Sequence, residues 1–108
     1  MTEVAVRYVR VGHASDVPEG RAEVFDVEDR KIAVFRVADG FYAIEDICTH
    51  DGGPLAEGEI EEDQVICPRH GSRFDIRTGS ALTLPAVIPV DSYPVRVDGN
   101  ELFIGLPD

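Results

Sequence analysis

The sequence predicts an all-β protein built from short antiparallel strands. Segments rich in β-branched and aromatic residues alternate with turn residues at close intervals, which is typical of strands. No window of helical length shows an apolar stripe that Gly or Pro does not interrupt. The turns Asp39-Gly40 and Asp98-Gly99-Asn100 each separate two apolar alternating runs. Because Gly and Asn tolerate positive φ, both turns predict tight hairpins.

Eight strands follow from these patterns in chain order. The first four lie in the N-terminal half, the next two flank the second cysteine-containing loop, and the last two flank the Asp98-Gly99-Asn100 turn. The predicted strands are 5–11, 21–27, 31–37, 41–45, 64–67, 73–76, 93–97 and 101–106. Five aromatic residues inside them are expected to pack in the core or across hairpins. These are Phe25, Phe35, Phe41, Tyr42 and Phe103.

Two proline-containing segments connect the strands. Residues 15–20, SDVPEG, are interpreted as a loop with Pro18 at a turn position rather than as a capped helical turn. Residues 84–94, LPAVIPVDSYP, contain three prolines. Since proline cannot donate to a ladder, this stretch is expected to be an extended edge or a loop that packs over something without pairing along its length.

Length and charge narrow the class of protein. At 108 residues the chain is expected to form one domain over 1–108. The formal net charge of −11 argues against nucleic-acid binding, because phosphate backbones would repel the chain. The acidity, densest in EGEIEED at 57–63, serves either solubility or steering towards a basic partner. With no leader-like N-terminus and no apolar run of membrane-spanning length, we expect a soluble, cytoplasmic protein.

The two cysteines each precede a histidine on a loop of Gly, Pro and Thr. Cys48 and His50 form C-x-H, and Cys67 and His70 form C-x-x-H after a gap of sixteen residues. In a reducing compartment such cysteines are metal ligands or catalytic groups more often than disulfide partners. The gap allows a strand or hairpin to bring the second loop beside the first. The spacing therefore predicts four metal ligands that converge from two loops.

These loops resemble those of the Rieske [2Fe–2S] family. The similarity extends beyond the four ligands to CTHDGGPLAEG, CPRHGSRFDIRTG and the later LPA. The resemblance implies a Rieske-type antiparallel β-sandwich with a small cluster-binding subdomain over about residues 46–86. It also implies one cluster per chain, with the thiolates of Cys48 and Cys67 on the buried iron. The imidazoles of His50 and His70 would hold the outer iron near the surface.

The same resemblance separates two branches of the family. Members from cytochrome bc complexes carry a second cysteine in each loop and a tyrosine that bonds a ligand sulfur. Here Arg69 stands at the second of those cysteine positions and Phe74 at the tyrosine position, so the chain resembles the low-potential ferredoxins. Ser72 departs from many of these, because its hydroxyl is able to donate to a bridging sulfide. We therefore count Ser72 as cofactor-binding and expect a potential somewhat above the lower limit of that branch.

The resemblance implies a one-electron carrier without catalytic residues. A flavin-dependent ferredoxin reductase would be the donor and a terminal oxygenase the acceptor, with the exposed edges of His50 and His70 as the electron port. We expect a monomer. Two alternatives stay open at this point. One keeps the fold, as a small subunit of a nitrite-reductase-like complex or an accessory protein of iron–sulfur assembly. The other is a zinc-stabilised interaction module, because two Cys and two His also form zinc sites.

Four titratable residues outside the ligand set are expected to have structural roles or to lie in solvent. His13 follows a glycine in a polar connection and is read as a solvated loop residue. Arg69 and Arg73 flank the second histidine, and we expect them to serve loop packing or a local ion pair with Asp75 or the acidic run. Asp75 is expected to fix loop geometry by accepting backbone hydrogen bonds.

Overall fold

The structure, a computed structural model, describes residues 6–37, 39–47, 54–68, 71–84 and 88–107. These ranges contain ten strands and one 3-10 turn, Ala14–Asp16, and no helix in them is long and apolar enough to cross a bilayer. The strands are β1 Val6–His13, β2 Arg21–Val27, β3 Arg30–Val37, β4 Gly40–Glu45, β5 Glu59–Glu61, β6 Gln64–Ile66, β7 Arg73–Asp75, β8 Ser92–Tyr93, β9 Val95–Asp98 and β10 Glu101–Pro107.

The strands form three antiparallel sheets. A terminal sheet has the order β1-β10-β9, a central sheet β2-β3-β4-β8 and a small sheet β5-β6-β7. Every pairing between neighbouring strands is antiparallel. The predicted all-β class is confirmed.

Strand β3 is buried on both faces because it lies between two apolar cores. Ile32 and Val34 belong to the core shared with the terminal sheet, and Ala33 and Phe35 to the core shared with the small sheet. Adjacent side chains of a strand point to opposite faces, so the unbroken apolar run at 32–35 fits a middle layer. We call the second cluster the site-side core: Ala33, Phe35, Ile44, Leu55, Val65, Cys67, Phe74, Ile76 and Val90.

Both predicted hairpins are confirmed. Val37 pairs with Gly40 at the end of the β3–β4 hairpin, and Asp98 pairs with Glu101 at the end of the β9–β10 hairpin. Gly99 has a φ of +63°, which a side chain would strain. Glycine therefore suits the second turn for a backbone reason.

The prediction of one strand over 93–97 is wrong, because Pro94 divides it. Residues before the proline form β8 and pair with β4 of the central sheet, whereas residues after it form β9 and pair with β10 of the terminal sheet. Pro94 has no N–H to donate, but its carbonyl accepts from Gly105 N at 2.9 Å. The chain therefore passes from one sheet to the other at this residue.

The start of the predicted loop at 15–20 also needs correction, because it contains part of the 3-10 turn. Asp16 Oδ2 accepts from His13 N at 2.9 Å, and Asn100 O accepts from Ala14 N at 2.8 Å. His13 is exposed as expected, but it is the last residue of β1 rather than part of a loop. Arg10 Nη2 lies 3.2 Å from His13 Nε2.

Strand β5 was not predicted, since Ile60 is its only apolar residue. It pairs with β6 as the outer strand of the small sheet, with Glu59 opposite Ile66. The preceding Gly58 lies against this strand pair: a Cβ built on Gly58 would be 2.0 Å from Ile66 O. Only a residue without a side chain allows this approach of two backbones.

Replacing Gly58 with Ala should therefore lower the free energy of unfolding by about 3 kcal/mol or more, because the two backbones must separate. Gly20→Ala is the comparison variant: Gly20 has a φ of +76° but no atom within 4 Å of the added carbon, so it should cost only about 1 kcal/mol. Thermal unfolding of the parent and the two variants, monitored by circular dichroism, gives their midpoints. The midpoint of Gly58→Ala should be the lowest. Equal midpoints for the two variants would contradict the proposed overlap.

Candidate metal centre

Of the four predicted ligands, Cys67 is the one that the structure describes. Cys48, His50 and His70 lie outside the described residues, as do Arg69, Gly52 and Gly53. Cys67 directly follows β6, has a free thiol and is 1% exposed. A buried thiol at the start of a loop is suited to bind a metal on the protein side of the centre. Within the described ranges no three His, Cys, Asp or Glu residues lie together as a metal site.

The base of the second ligand loop is closed by backbone hydrogen bonds. Strands β6 and β7 form a hairpin, and Cys67 N extends its ladder by donating to Ser72 O at 2.7 Å. Gly71 N donates to Cys67 O at 3.0 Å. Gly71 has a φ of +77° with open space around its Cα, so glycine is favoured there by backbone conformation. These two hydrogen bonds hold the base of the loop.

Ser72 lies at this closed base with a fully buried side chain. Among the described residues it is the one buried polar residue. Buried hydroxyl groups need hydrogen-bond partners. The role of Ser72 as a cofactor contact stays a prediction.

The base of the first ligand loop is closed by a carboxylate. Asp46 follows β4, and its Oδ1 accepts from Leu55 N at 2.8 Å and from Ala56 N at 2.7 Å. Asp46 N donates to Lys31 O of β3 at 2.9 Å. These bonds bring the two ends of the segment that contains Cys48 and His50 together beside the central sheet.

The site-side core joins the bases of the two loops. Leu55 at the end of the first loop and Cys67 at the start of the second are both buried in it, with Phe35 from the central sheet. Ile47, next to the first predicted cysteine, packs against the same cluster. Apolar burial therefore determines where the two loops stand relative to each other.

A third segment is attached to the far side of β7. Leu82 N donates to Arg73 O at 2.8 Å, and Arg73 N donates to Thr83 Oγ1 at 2.9 Å. Both bonds lie one residue beyond Ser72, so the segment that enters LPA runs beside the second ligand loop. Leu84, the first residue of LPA, is 75% exposed and Ile88 is 59% exposed. Residues 85–87 lie outside the described residues.

The expectations for Arg73 and Asp75 are confirmed. Arg73 Nη1 lies 3.4 Å from Glu61 Oε1, in the acidic run, and 3.2 Å from Gln64 Oε1. Asp75 Oδ1 accepts from Arg77 N at 2.8 Å. Arg73 thus serves packing of the small sheet, and Asp75 shapes the turn that follows β7.

The sequence did not single out Arg77, which connects the small sheet to the β3–β4 hairpin. Its guanidinium lies 2.5 Å from Asp39 Oδ2 and 3.3 Å from Asp63 Oδ2. Its Cζ also lies 4.8 Å from the centroid of the Tyr42 ring, within cation–π range. A cleft of about 670 Å³ with Glu19, Ile60 and Glu62 in its lining adjoins this contact.

The Arg77–Asp39 contact predicts a pH dependence. The hydrogen bond from Arg77 lowers the pKa of the Asp39 carboxyl below its ordinary value. The contact therefore stabilises the fold above the ordinary carboxyl pKa of about 4 and is lost as the pH falls through the lowered value. The gap in thermal midpoint between the parent and Asp39→Asn should be small, since both groups are exposed. It should narrow below about pH 4; a gap that is constant down to pH 3 would show that charge plays no part.

Comparison with known proteins shows the family to which the chain belongs. Residues 7–94 match the domain family described as the Rieske [2Fe-2S] domain. The 3-phenylpropionate/cinnamic acid dioxygenase ferredoxin subunit of Escherichia coli (strain K12) is 45% identical over 95 residues, which are 87% of this chain and 89% of that protein.

Two solved structures are similar over nearly the whole chain. The ferredoxin of carbazole 1,9a-dioxygenase from Nocardioides aromaticivorans IC177 shares 37% identity with a TM-score of 0.86, over 94% of this chain and 98% of that one. A chain in a complex of reduced oxygenase and oxidized ferredoxin in carbazole 1,9a-dioxygenase shares 36% identity with a TM-score of 0.82, over 90% and 91%.

Proposed function

The chain belongs to the Rieske [2Fe–2S] domain family, and on that premise we propose that it carries single electrons from a flavin-dependent reductase to the terminal oxygenase of a dioxygenase system. Its cofactor is a [2Fe–2S] cluster, which takes up and returns one electron. The protein is a ferredoxin and not an enzyme, as its relatives at 36–45% identity are ferredoxins of dioxygenases. The observation that carries the proposal is the buried thiol of Cys67 at the base of a closed loop.

We assign four cluster ligands on two loops. Cys48 and Cys67 would hold one iron through thiolates, and His50 and His70 the other through imidazoles. The buried position of Cys67 supports the first half of this assignment. Ser72, buried at the base of the second loop, would act as a hydrogen-bond donor to the cluster. Both ligand loops would belong to a cluster-binding region at about residues 46–86, within a single domain.

The mixed ligand set explains why such a site accepts an electron readily. Two thiolates cancel the formal charge of about +2 on the oxidised core, so the reduced site carries about −1. Four thiolates would make both states more negative. The potential is therefore higher than in all-cysteine ferredoxins, and hydrogen bonds to sulfur tune it within the range of about −150 to +300 mV.

The surface beside the second ligand loop supports transient contact with another protein. Leu82, in the segment attached to β7, and Leu84 and Ile88, which follow it in the chain, are exposed large apolar residues. The net charge of −11 favours a partner with a basic docking face, because complementary charge speeds encounter. A monomeric state and the flavin-dependent donor rest on the resemblance to ferredoxins and stay predictions.

A coupled assay tests the proposed function. With NADH, O₂, 3-phenylpropionate, a ferredoxin reductase and the oxygenase component of a 3-phenylpropionate dioxygenase, the oxygenated product should form only when this protein is added. Cys67→Ser should abolish that activity and the bound iron, because a ligand is lost. Ser80→Ala, which changes an exposed serine of the same subdomain, is the control and should retain both the activity and the iron.

Metal analysis of the same preparations separates the alternatives. The parent should contain about two irons and two acid-labile sulfides, as expected for a [2Fe–2S] centre. Stoichiometric zinc without sulfide would support the zinc-stabilised module instead. A loaded cluster with no transfer to any oxygenase would reject the dioxygenase role and leave the cofactor assignment intact.

Ser72→Ala should lower the reduction potential. Reduction adds negative charge to the sulfurs, so a donor stabilises the reduced cluster more than the oxidised one. A differential of about 1–2 kcal/mol corresponds to roughly 40–90 mV for one electron. Protein-film voltammetry measures the shift, with Ser80→Ala as the control. A change of less than about 15 mV, under half of the smallest expected shift, would show that the hydroxyl does not act on the cluster.

A further inference from the structure

The contacts of Asp46 point to a role that the ligand pattern does not include. One oxygen, Oδ1, accepts from the N–H groups of both Leu55 and Ala56, at 2.8 and 2.7 Å. The residues between the acceptor and its donors include Cys48 and His50. We propose that Asp46 is a positioning residue, which holds the first ligand loop closed so that both of its ligands stay on the cluster. This inference rests on the proposed cluster site.

The closed loop is anchored to the central sheet on the Asp46 side. Asp46 N donates to Lys31 O at 2.9 Å, and Ile47 N donates to Glu45 O at 2.9 Å. The backbone at Asp46 is therefore an extension of the β3–β4 pairing. An acceptor mounted on such a rigid element can determine where Leu55 and Ala56 lie.

The donor side of the loop is coupled to the second ligand loop. Leu55 is fully buried in the site-side core together with Cys67. Gly58 N donates to Leu55 O at 2.9 Å, and Gly58 lies against the carbonyl of Ile66, the residue before Cys67. If the bonds to Asp46 were lost, Leu55 could shift relative to Cys67. The first loop would then no longer determine the distance between the two proposed ligand pairs.

The geometry of the acceptor and its charge can be separated by substitution. Asp46→Asn retains a carbonyl oxygen of the same reach and removes the charge. Asp46→Glu retains the charge and moves the oxygens by one methylene group. Asp46→Ala removes the acceptor and leaves the N–H of the buried Leu55 without it, which is costly. A positioning role predicts that Asn preserves the function of the loop better than Glu does.

The test measures cluster release and amide exchange in the cluster-loaded proteins. Release of iron from the cluster to a chelator is monitored as the loss of visible absorbance. It should be about tenfold or more faster in Asp46→Ala than in the parent, which corresponds to about 1.4 kcal/mol. Asp46→Glu should also release faster, whereas Asp46→Asn should stay within about twofold of the parent, a difference below about 0.5 kcal/mol. Hydrogen exchange at the Leu55 and Ala56 amides should follow the same order. Glu59→Gln, which removes an exposed carboxylate of β5, is the control for charge alone and should match the parent.

Three results would overturn the inference. One is unchanged release in both Asp46→Ala and Asp46→Glu while the amides exchange faster, which would mean that the closed loop does not hold the ligands. Another is release that is faster in Asp46→Asn than in Asp46→Glu, which would assign the role to charge and not to the position of the acceptor. If Asp46→Ala does not accumulate as a folded protein, the comparison of Asn with Glu decides. A parent that binds no iron and sulfide rejects the proposed function itself, and this inference with it.

Discussion

The site-side core is the contact on which the rest of the structure depends. It brings Phe35 of the central sheet, Leu55 of the first loop and Cys67 of the second loop into one buried cluster. Since the proposed cluster ligand Cys67 is part of this core, metal binding would stabilise the same arrangement as apolar packing. The terminal sheet packs on the opposite face of β3 and buries that face of the central sheet.

Each loop is closed at its base by a different chemical device. The first loop uses the carboxylate of Asp46, the second continues a β-ladder from Cys67 to Ser72, and the third segment uses the hydroxyl of Thr83. All three devices satisfy backbone N–H groups, and those of Leu55 and Cys67 belong to buried residues, where an unmade bond is costly. If the loops hold the cluster as proposed, closed bases would limit the movement of the ligands when the charge of the centre changes, which favours fast electron transfer.

The basic residues of the chain act mainly within the molecule. Nine of the ten are arginines, and four lie over the rings of Tyr93, Phe41, Tyr42 and Tyr8. Planar guanidinium groups stack on rings and pair with carboxylates at the same time, as Arg77 does between Tyr42 and Asp39. The excess of acidic residues therefore gives the surface a negative field for a partner to meet.

The sequence alone determined the fold class, both hairpins, the family and the four candidate ligands, because each depends on local chemistry: alternation, turn residues, and paired Cys and His at short spacing. Tertiary structure decided what depends on contacts distant in the chain. Pro94 reads locally as part of one extended run, yet it separates strands of two sheets, and β5 has one apolar residue and forms because β6 is there to pair with it. The roles of Asp46, Gly58 and Arg77 likewise have no local signal, since an acceptor, a close approach and an ion pair exist only once the chain has brought their partners to them.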